Sequence, residues 1–257
     1  MALFRKSAFL DRDTEAWHFA AWAWLLRNLG ADLGRTPLVL PTKDFFPPTK
    51  LTGHERALHA FDCVKSAMGM ADWPCELVVD DGPPDAQEVG EFFTVQTPGR
   101  PAGTFSVKGQ QVTIVYAAGL VKEPIHLVAT FAHELAHYLL APVEEEPPGG
   151  WDLHELATDL TVAYCGFGVF GANAAFQFDR FQDYGRQGWR SRRSGYLSER
   201  TWALALATFL ALTDRRGAAD EWLKPGLRDV VRAAEKYLAK NPGLLDPFSV
   251  NARADQL

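Results

Sequence analysis

The sequence predicts a mainly helical α+β fold with one small sheet. Apolar residues recur at helical spacing in long segments before residue 70 and after residue 125. Between these regions lie two short runs rich in β-branched and aromatic residues, which flank a turn containing glycine. No internal repeat and no low-complexity tract is visible. Strands in the middle of a chain with helices elsewhere are typical of the α+β class.

The first third of the chain predicts two helices and one strand. In residues 13–29, apolar side chains form a stripe at helical spacing, made of Trp17, Ala20, Ala21, Trp24 and Leu25. Residues 54–70 show the same periodicity, and CELVVD (75–80) is typical of a short strand. We expect the tryptophans of the first helix, Trp17, Trp22 and Trp24, to pack it onto the core.

The segment GTFSVKGQQVTIVYAAG (103–119) predicts a β-hairpin. Its two β-rich runs, TFSV and QVTIVY, flank Lys108-Gly109-Gln110. A strand over residues 111–116 has two possible places in the sheet. At an edge it could pair with an extended peptide, whereas in the centre it would be an ordinary core strand, and the sequence leaves both open.

The second half of the chain predicts further helices. The pattern becomes helical over 125–140, and EEEPPGG (144–150) then breaks the chain. We expect the next helix to begin near Asp152, which would be its N-cap, with Glu155 completing a capping box. Helices are also predicted over 198–213 and 225–240, the latter with a proline at its first position.

Residues 156–178 form an apolar stretch whose length is close to that of a membrane span. Several small or polar residues interrupt it, namely Gly166, Gly168, Gly171, Asn173 and Gln177. Basic residues are lacking on its N-terminal side. We therefore expect a buried helix followed by a second apolar segment, and a membrane-embedded protease is the weaker alternative.

Composition and charge narrow the class of protein. The chain has 257 residues, of which 47% are hydrophobic, enough for a substantial core. A net charge of −6 gives no global basic field for nucleic acid. The cysteines Cys63, Cys75 and Cys165 are odd in number and form no C-x-x-C pair, which predicts free thiols. Because the N-terminus also lacks an apolar segment typical of signal peptides, we expect a cytoplasmic protein.

The segment FAHELAHYLL (131–140) carries the clearest chemical signal. His133 and His137 are four residues apart, so on a helix they project from one face and can bind one Zn²⁺ ion. Glu134 follows the first histidine and lies beside such an ion without ligating it, the place of a general base that takes a proton from the attacking water. An apolar core helix with internally bonded histidines is the alternative explanation.

A catalytic zinc ion usually has three protein ligands, so one more is needed. WDLHELATDL (151–160) contains Glu155 and Asp159, again four residues apart on one helical face. Glu155 can supply a carboxylate oxygen, and Asp159 can accept the free ring N–H of a ligating histidine. His154 is the rival ligand, but it is rotated by about 100° from Glu155 on a helix.

HELAH (133–137) followed by ELATD (155–159) resembles the gluzincin metallopeptidases, in which H-E-x-x-H precedes a helix carrying E-x-x-x-D. The resemblance extends over residues 104–165. It implies a zincin-like core, zinc ligands His133, His137 and Glu155, the base Glu134, a supporting Asp159, and peptide-bond hydrolysis. The hairpin also fits, since a strand near the active site pairs with extended substrate in that clan. The run YCGFGVFGANAAF (164–176) is similar to uncharacterised bacterial proteins with this motif.

Other polar residues have no motif. A tyrosine, Tyr184 or Tyr196, could stabilise the oxyanion that forms during hydrolysis. The basic segment GRQGWRSRRSG (185–195) is interpreted as a solvated loop, with phosphate or nucleic-acid binding as the alternative. His126 is expected to be structural.

The sequence thus predicts a zinc-dependent hydrolase, a cytoplasmic peptidase with a peptide or protein substrate. We expect neither a nucleic-acid partner nor a membrane. The alternative is a zinc-binding regulatory or interaction protein with a zincin-like fold and no peptidase activity. The expected organisation is a single zincin-like domain over residues 1–257. Within it, residues 1–80 would form a helical N-terminal extension and residues 100–215 the metallopeptidase core.

Overall fold

The computed structural model describes residues 8–80, 82, 102–108, 111–182 and 196–249. Contacts divide the chain into two compact units, one made of Met1–Leu40 with Val143–Leu257 and the other of Pro41–Pro142. The described residues are mainly helical and contain a three-stranded sheet, which confirms the α+β prediction. The zincin-like core and the boundaries expected for it stay predictions.

The regular elements are named here in chain order. The helices are α1 (Arg12–Leu29), α2 (Gly53–Ala67), α3 (Pro124–Leu140), α4 (His154–Tyr164), α5 (Gly168–Gln182), α6 (Glu199–Leu212), α7 (Pro225–Lys240) and α8 (Asp246–Ser249). The strands are β1 (Glu76–Asp80), β2 (Gly103–Lys108) and β3 (Gln111–Ala117). Short 3₁₀ turns occupy Leu33–Arg35, Ala118–Lys122, Trp151–Leu153, Asp220–Trp222 and Pro242–Leu244.

The sheet belongs to the unit Pro41–Pro142. Its strand order is β1-β3-β2, with β1 parallel and β2 antiparallel to β3. Lys108 lies opposite Gln111, so the predicted hairpin is confirmed. Because β3 is the central strand of this sheet, the edge-strand alternative for residues 111–116 is wrong. The hairpin instead leaves β2 at one edge.

Two helices complete the core of the unit Pro41–Pro142. The ring of Phe131 on α3 lies edge-on to Phe61 of α2, with the ring centroids 5.2 Å apart. On the sheet side, Phe131 meets Tyr116 of β3 at 5.5 Å. All three rings are buried. Their contacts fix α3 between the sheet and α2.

The other unit is helical in its described part, and α6 is its most buried element. Every residue of α6 from Thr201 to Leu210 is buried. Helix α5 packs closely on α6 at Gly171, where a Cβ would overlap the ring of Trp202. Side chains of α6 and α7 share an apolar cluster with the segment before α1, made of Phe9, Leu204, Ala207, Ala234 and Leu238.

Helix α1 holds the segment that precedes α4. Trp17 Nε1 donates a hydrogen bond to the carbonyl of Pro148 at 2.8 Å, and Trp24 Nε1 donates to the carbonyl of Glu145 at 3.1 Å. Trp22, which lies between these two tryptophans in the sequence, is fully buried. The tryptophans therefore pack α1 onto its own unit, as the sequence predicted.

The predicted N-cap of the helix carrying Glu155 is wrong. Helix α4 begins at His154, and Leu153 occupies the N-cap position without a side-chain hydrogen bond. Asp152 lies instead inside the 3₁₀ turn Trp151–Leu153. Gly150 precedes this turn with a φ of 83°, which favours glycine, and its carbonyl accepts the N–H of Leu153 at 3.0 Å, the i→i+3 bond of a 3₁₀ turn.

The apolar stretch 156–178 is divided between two helices, as predicted. Helix α4 ends at Tyr164, and α5 begins at Gly168. The turn between them contains Gly166, whose φ of 85° places it against the carbonyl of Pro37. Within the described parts of the chain, no helix combines the length and apolar character needed to cross a membrane.

Candidate metal centre

Helix α3 forms because its sequence combines a proline at the first position with an apolar face. A residue at this position has no partner for its N–H within the helix, so Pro124 loses no hydrogen bond, and the fixed φ of proline is compatible with a helix. The buried face consists of Leu127, Val128, Phe131, Ala132, Leu135, Ala136 and Leu140. His133 and His137 are partly exposed at the border of this face, whereas Glu134 between them is buried. The helix thus presents both imidazoles towards the same side, as the spacing predicted.

The two imidazoles converge through their Nε2 atoms. These nitrogens are 3.1 Å apart, and the rings are nearly perpendicular at 82°. Zinc–nitrogen bonds of about 2.0–2.1 Å at a tetrahedral angle would place two such nitrogens roughly 3.3 Å apart. The observed separation is close to this value. The pair therefore fits a divalent ion that favours imidazole, Zn²⁺ being the commonest example.

Strand β2 supports one of these histidines. The ring of Phe105 lies parallel to that of His137, with centroids 6.2 Å apart and planes inclined by 10°. Phe105 also contacts Tyr138, the next residue of α3, at 5.7 Å. Phe105 therefore provides an aromatic neighbour for His137 on the side of β2.

The carboxylate of Glu134 lies against the first residue of β2. Glu134 is only 5% exposed. An added Cβ on Gly103 would be 2.8 Å from Oε1 of Glu134 and 2.7 Å from Cγ2 of Thr130. Sequence reasoning missed both Gly103 and Phe105, because they approach α3 only after the hairpin has formed. A glycine at the start of a predicted strand was the one available signal.

The two carboxylates predicted to complete the site lie on α4, in the other unit. Glu155 is in the first turn, and its side chain is accessible to solvent. Asp159 is 4% exposed, and its Oδ2 accepts the backbone N–H of Leu197 at 2.9 Å. The sequence did not predict this contact. Ligation by Glu155 and support of a ligating histidine by Asp159 stay predictions.

The rival ligand His154 has contacts within its own unit. Its ring is 5.7 Å from that of Trp151, and its Nδ1 is 3.5 Å from Oγ1 of Thr158. His126, expected to be structural, has its Nδ1 3.3 Å from a carboxylate oxygen of Glu123, one turn earlier. Each of the two rings thus lies close to polar or aromatic groups of its own unit.

Of the two tyrosines predicted to stabilise the oxyanion, only Tyr196 belongs to the described residues. Tyr184 and the basic segment 185–195 lie outside the described residues. Tyr196 is 47% exposed and immediately precedes Leu197, whose N–H is bound by Asp159. The hydrogen bond of Leu197 to Asp159 therefore holds the backbone next to Tyr196 against α4. A role for Tyr196 in hydrolysis stays a prediction.

Comparisons with protein-family models, with curated proteins and with solved structures found no match.

Proposed function

We propose that the protein is a zinc-dependent peptidase, with His133, His137 and Glu155 as the ligands of one ion. The observation that carries the proposal is the arrangement on α3. Two imidazoles converge at an Nε2 separation of 3.1 Å, and a buried carboxylate, Glu134, lies between them in sequence. A helix with only a structural role for its histidines would not need an acidic residue buried beside them.

The proposed reaction assigns one role to each residue. When bound, Zn²⁺ supplies Lewis-acid activation of water and of the substrate carbonyl. Glu134 accepts a proton from the attacking water as the new carbon–oxygen bond forms. It then donates that proton to the leaving nitrogen as the carbon–nitrogen bond breaks. Asp159 would fix the tautomer of a ligating histidine by accepting its second ring N–H.

Strand β2 is the feature that favours a peptide substrate. The N–H of Ala117 bonds the carbonyl of Ala102, so residues 102 and 117 form a hydrogen-bonded pair. Since such pairs alternate along antiparallel strands, the N–H and C=O groups of Gly103, Phe105 and Val107 point away from β3. No strand within the described residues pairs with this edge. An extended peptide could therefore add to the sheet beside α3.

The proposed location is the cytoplasm. Three cysteines, Cys63, Cys75 and Cys165, are free thiols in the structure. Burial raises the pKa of the Cys165 thiol to about 12, which keeps it protonated and unreactive. Free thiols are typical of a reducing compartment.

The decisive experiment compares Glu134→Gln with the wild type on a peptide library, with cleavage products identified by mass spectrometry. We expect Glu134→Gln to bind zinc with wild-type stoichiometry and to lose about 10²–10⁴-fold in kcat, because the amide cannot take up the proton. His137→Ala should lose both zinc and activity.

Glu123→Gln is the matched control, since it makes the same chemical change at the start of α3. It should cleave like the wild type. Undiminished turnover by Glu134→Gln would refute the assigned base. Zinc bound without turnover by any variant, the wild type included, would favour the regulatory alternative.

A further inference from the structure

Gly103 stands where a side chain is excluded by the residue proposed as the base. An ideal Cβ on Gly103 would lie 2.8 Å from Oε1 and 3.0 Å from Cγ of Glu134, and 2.7 Å from Cγ2 of Thr130. Separations below 3.0 Å are essentially never seen for real Cβ atoms. Thr130 and Glu134 are one helical turn apart on α3 and face the strand together. Backbone of β2 and side chains of α3 are thus in direct contact.

The backbone conformation does not require glycine at this position. Gly103 does not have a positive φ, and it is paired with Tyr116 in the regular register of the hairpin. Glycine weakens a strand because it has no side chain to pack and more conformational freedom to lose. The missing Cβ of glycine instead leaves the space that the side chains of Thr130 and Glu134 occupy.

We propose that Gly103 is a positioning residue, which sets where the carboxylate of Glu134 stands; the inference rests on the function proposed above. The same strand face carries Phe105, two residues further along, whose ring lies against His137. Strand β2 therefore positions both the base and one of the proposed ligands. A slip of one residue in the hairpin register would turn both away from α3.

The two neighbours of Gly103 respond differently to an added methyl group. Thr130 is β-branched, and in a helix its χ1 is restricted to two rotamers, so its Cγ2 moves away only by a complete change of rotamer. The oxygen of Glu134 is the end of a flexible side chain and moves more easily. A methyl group at residue 103 is consequently expected to displace the carboxylate while the hairpin and α3 remain folded.

The test is Gly103→Ala, assayed on a peptide that the wild type cleaves. We expect kcat to fall by about 10- to 100-fold, since a shift on the order of 1 Å in a reacting group has effects of this size. Zinc stoichiometry and KM should stay at wild-type values. A crystal structure of the variant should show Oε1 of Glu134 displaced from its wild-type position.

Gly243→Ala is the matched control, because its Cβ would meet Asp246 at 3.6 Å, an ordinary contact. It should cleave at the wild-type rate. If Gly103→Ala is too unstable to assay, Gly103→Ala/Thr130→Ser removes the contact with Cγ2 and keeps the contact with Glu134. Its reference is Thr130→Ser, and the same loss of kcat is expected.

Wild-type kcat in Gly103→Ala, or a loss confined to KM, would overturn the inference. If the wild type shows no metal-dependent cleavage at all, the proposed function fails independently. The crystal structures then decide on Gly103 by themselves. A carboxylate of Glu134 that keeps its wild-type position in Gly103→Ala would contradict the positioning role.

Discussion

His18 is a titratable residue in the interior of the helical unit. Its ring is fully buried, and its Nε2 is 3.2 Å from Oγ1 of Thr208. The Thr208 hydroxyl donates to the carbonyl of Leu204, so it accepts from the ring N–H of His18. Burial lowers the pKa of His18 from 6.5 to about 3. The native protein therefore keeps this imidazole neutral at pH values well above 3.

This pKa makes stability depend on pH. Below pH 6.5 the unfolded chain binds a proton at His18, whereas native His18 binds one only near pH 3. His18 therefore leaves the free energy of unfolding unchanged above pH 6.5 and lowers it as the pH falls from 6.5 towards 3. At pH 5 the loss is about 2 kcal/mol. We expect His18→Phe to abolish this part of the acid sensitivity.

Urea denaturation of both proteins at pH 7.5 and pH 5 measures the difference. Thr208 keeps its bond to Leu204 in the variant, so His18→Phe leaves no unpaired hydroxyl. Equal losses of unfolding free energy by wild type and variant between the two pH values would show that His18 is protonated in the native state.

At the scale of single residues, the sequence was most informative where chemistry depends on local geometry. His133 and His137 could be predicted to face the same side because they are four residues apart on a helix, and Glu134 directly follows the first of them. Gly103 and Phe105 could not be assigned to the site, since they meet α3 only through the fold. Glycine and phenylalanine are also ordinary strand and turn residues, without a chemical signature of their own.

At the scale of elements, the outward-facing N–H groups of β2 allow a prediction about the binding of the proposed peptide substrate. Val107 is 51% exposed, and its N–H points away from β3. Val107→Pro removes this donor without breaking a bond of the hairpin. We expect KM for peptides to rise by about 2- to 10-fold, the effect of one lost hydrogen bond, with little change in kcat.

Ser106→Pro is the contrasting variant, because residue 106 is paired with Thr113 through bonds to β3. It should lower the melting temperature, whereas Val107→Pro should not. Steady-state kinetics and thermal denaturation of the two variants measure both effects. An unchanged KM in Val107→Pro would argue against peptide addition at this edge.

The helices with strong apolar periodicity were predicted closely, and α7 has the bounds that the sequence indicated. Pro225 at its start and one continuous apolar stripe determine the bounds of that helix from its local sequence alone. The start of α4 was less well predicted. Asp152 has the side chain of an N-cap, but the positive φ of Gly150 directs the chain into a 3₁₀ turn first.

At the scale of the whole molecule, the proposed ion links binding to stability. Ligands that are separate in sequence form a site only in the folded chain, so zinc bound at the proposed site would stabilise the native state. Zinc at 1,000 times its Kd should add about 4 kcal/mol to the free energy of unfolding. We expect chelation to lower the melting temperature and added zinc to restore it.

Variants of two adjacent residues of α4 would distinguish the candidates for the third ligand of the proposed ion. Glu155→Ala should lose the zinc-dependent rise in melting temperature, and His154→Ala should keep it. Differential scanning calorimetry with and without zinc distinguishes the two variants. The reverse result would assign the ligand to His154, which sequence geometry disfavoured because of its rotation on the helix.

The α+β class was predictable because it depends on the local periods of helices and strands. The grouping of Met1–Leu40 with Val143–Leu257 was not. It depends on contacts between distant positions, such as the bond from Arg215 to the carbonyl of Thr36 and the bond from Val39 to that of Gly166. Neither pair has a motif, since backbone carbonyls can bind many donors.

This discontinuity has a consequence for translation. Thr36 and Val39 leave the ribosome well before Arg215 and Gly166, the residues that later bind them. At synthesis rates of roughly 5–20 residues per second, the early segment waits on the order of 10 s for its partners. Pro41–Pro142 emerges in between as a continuous stretch. The nascent chain can therefore finish this middle portion first, while the earlier segment stays unfinished until synthesis is nearly over.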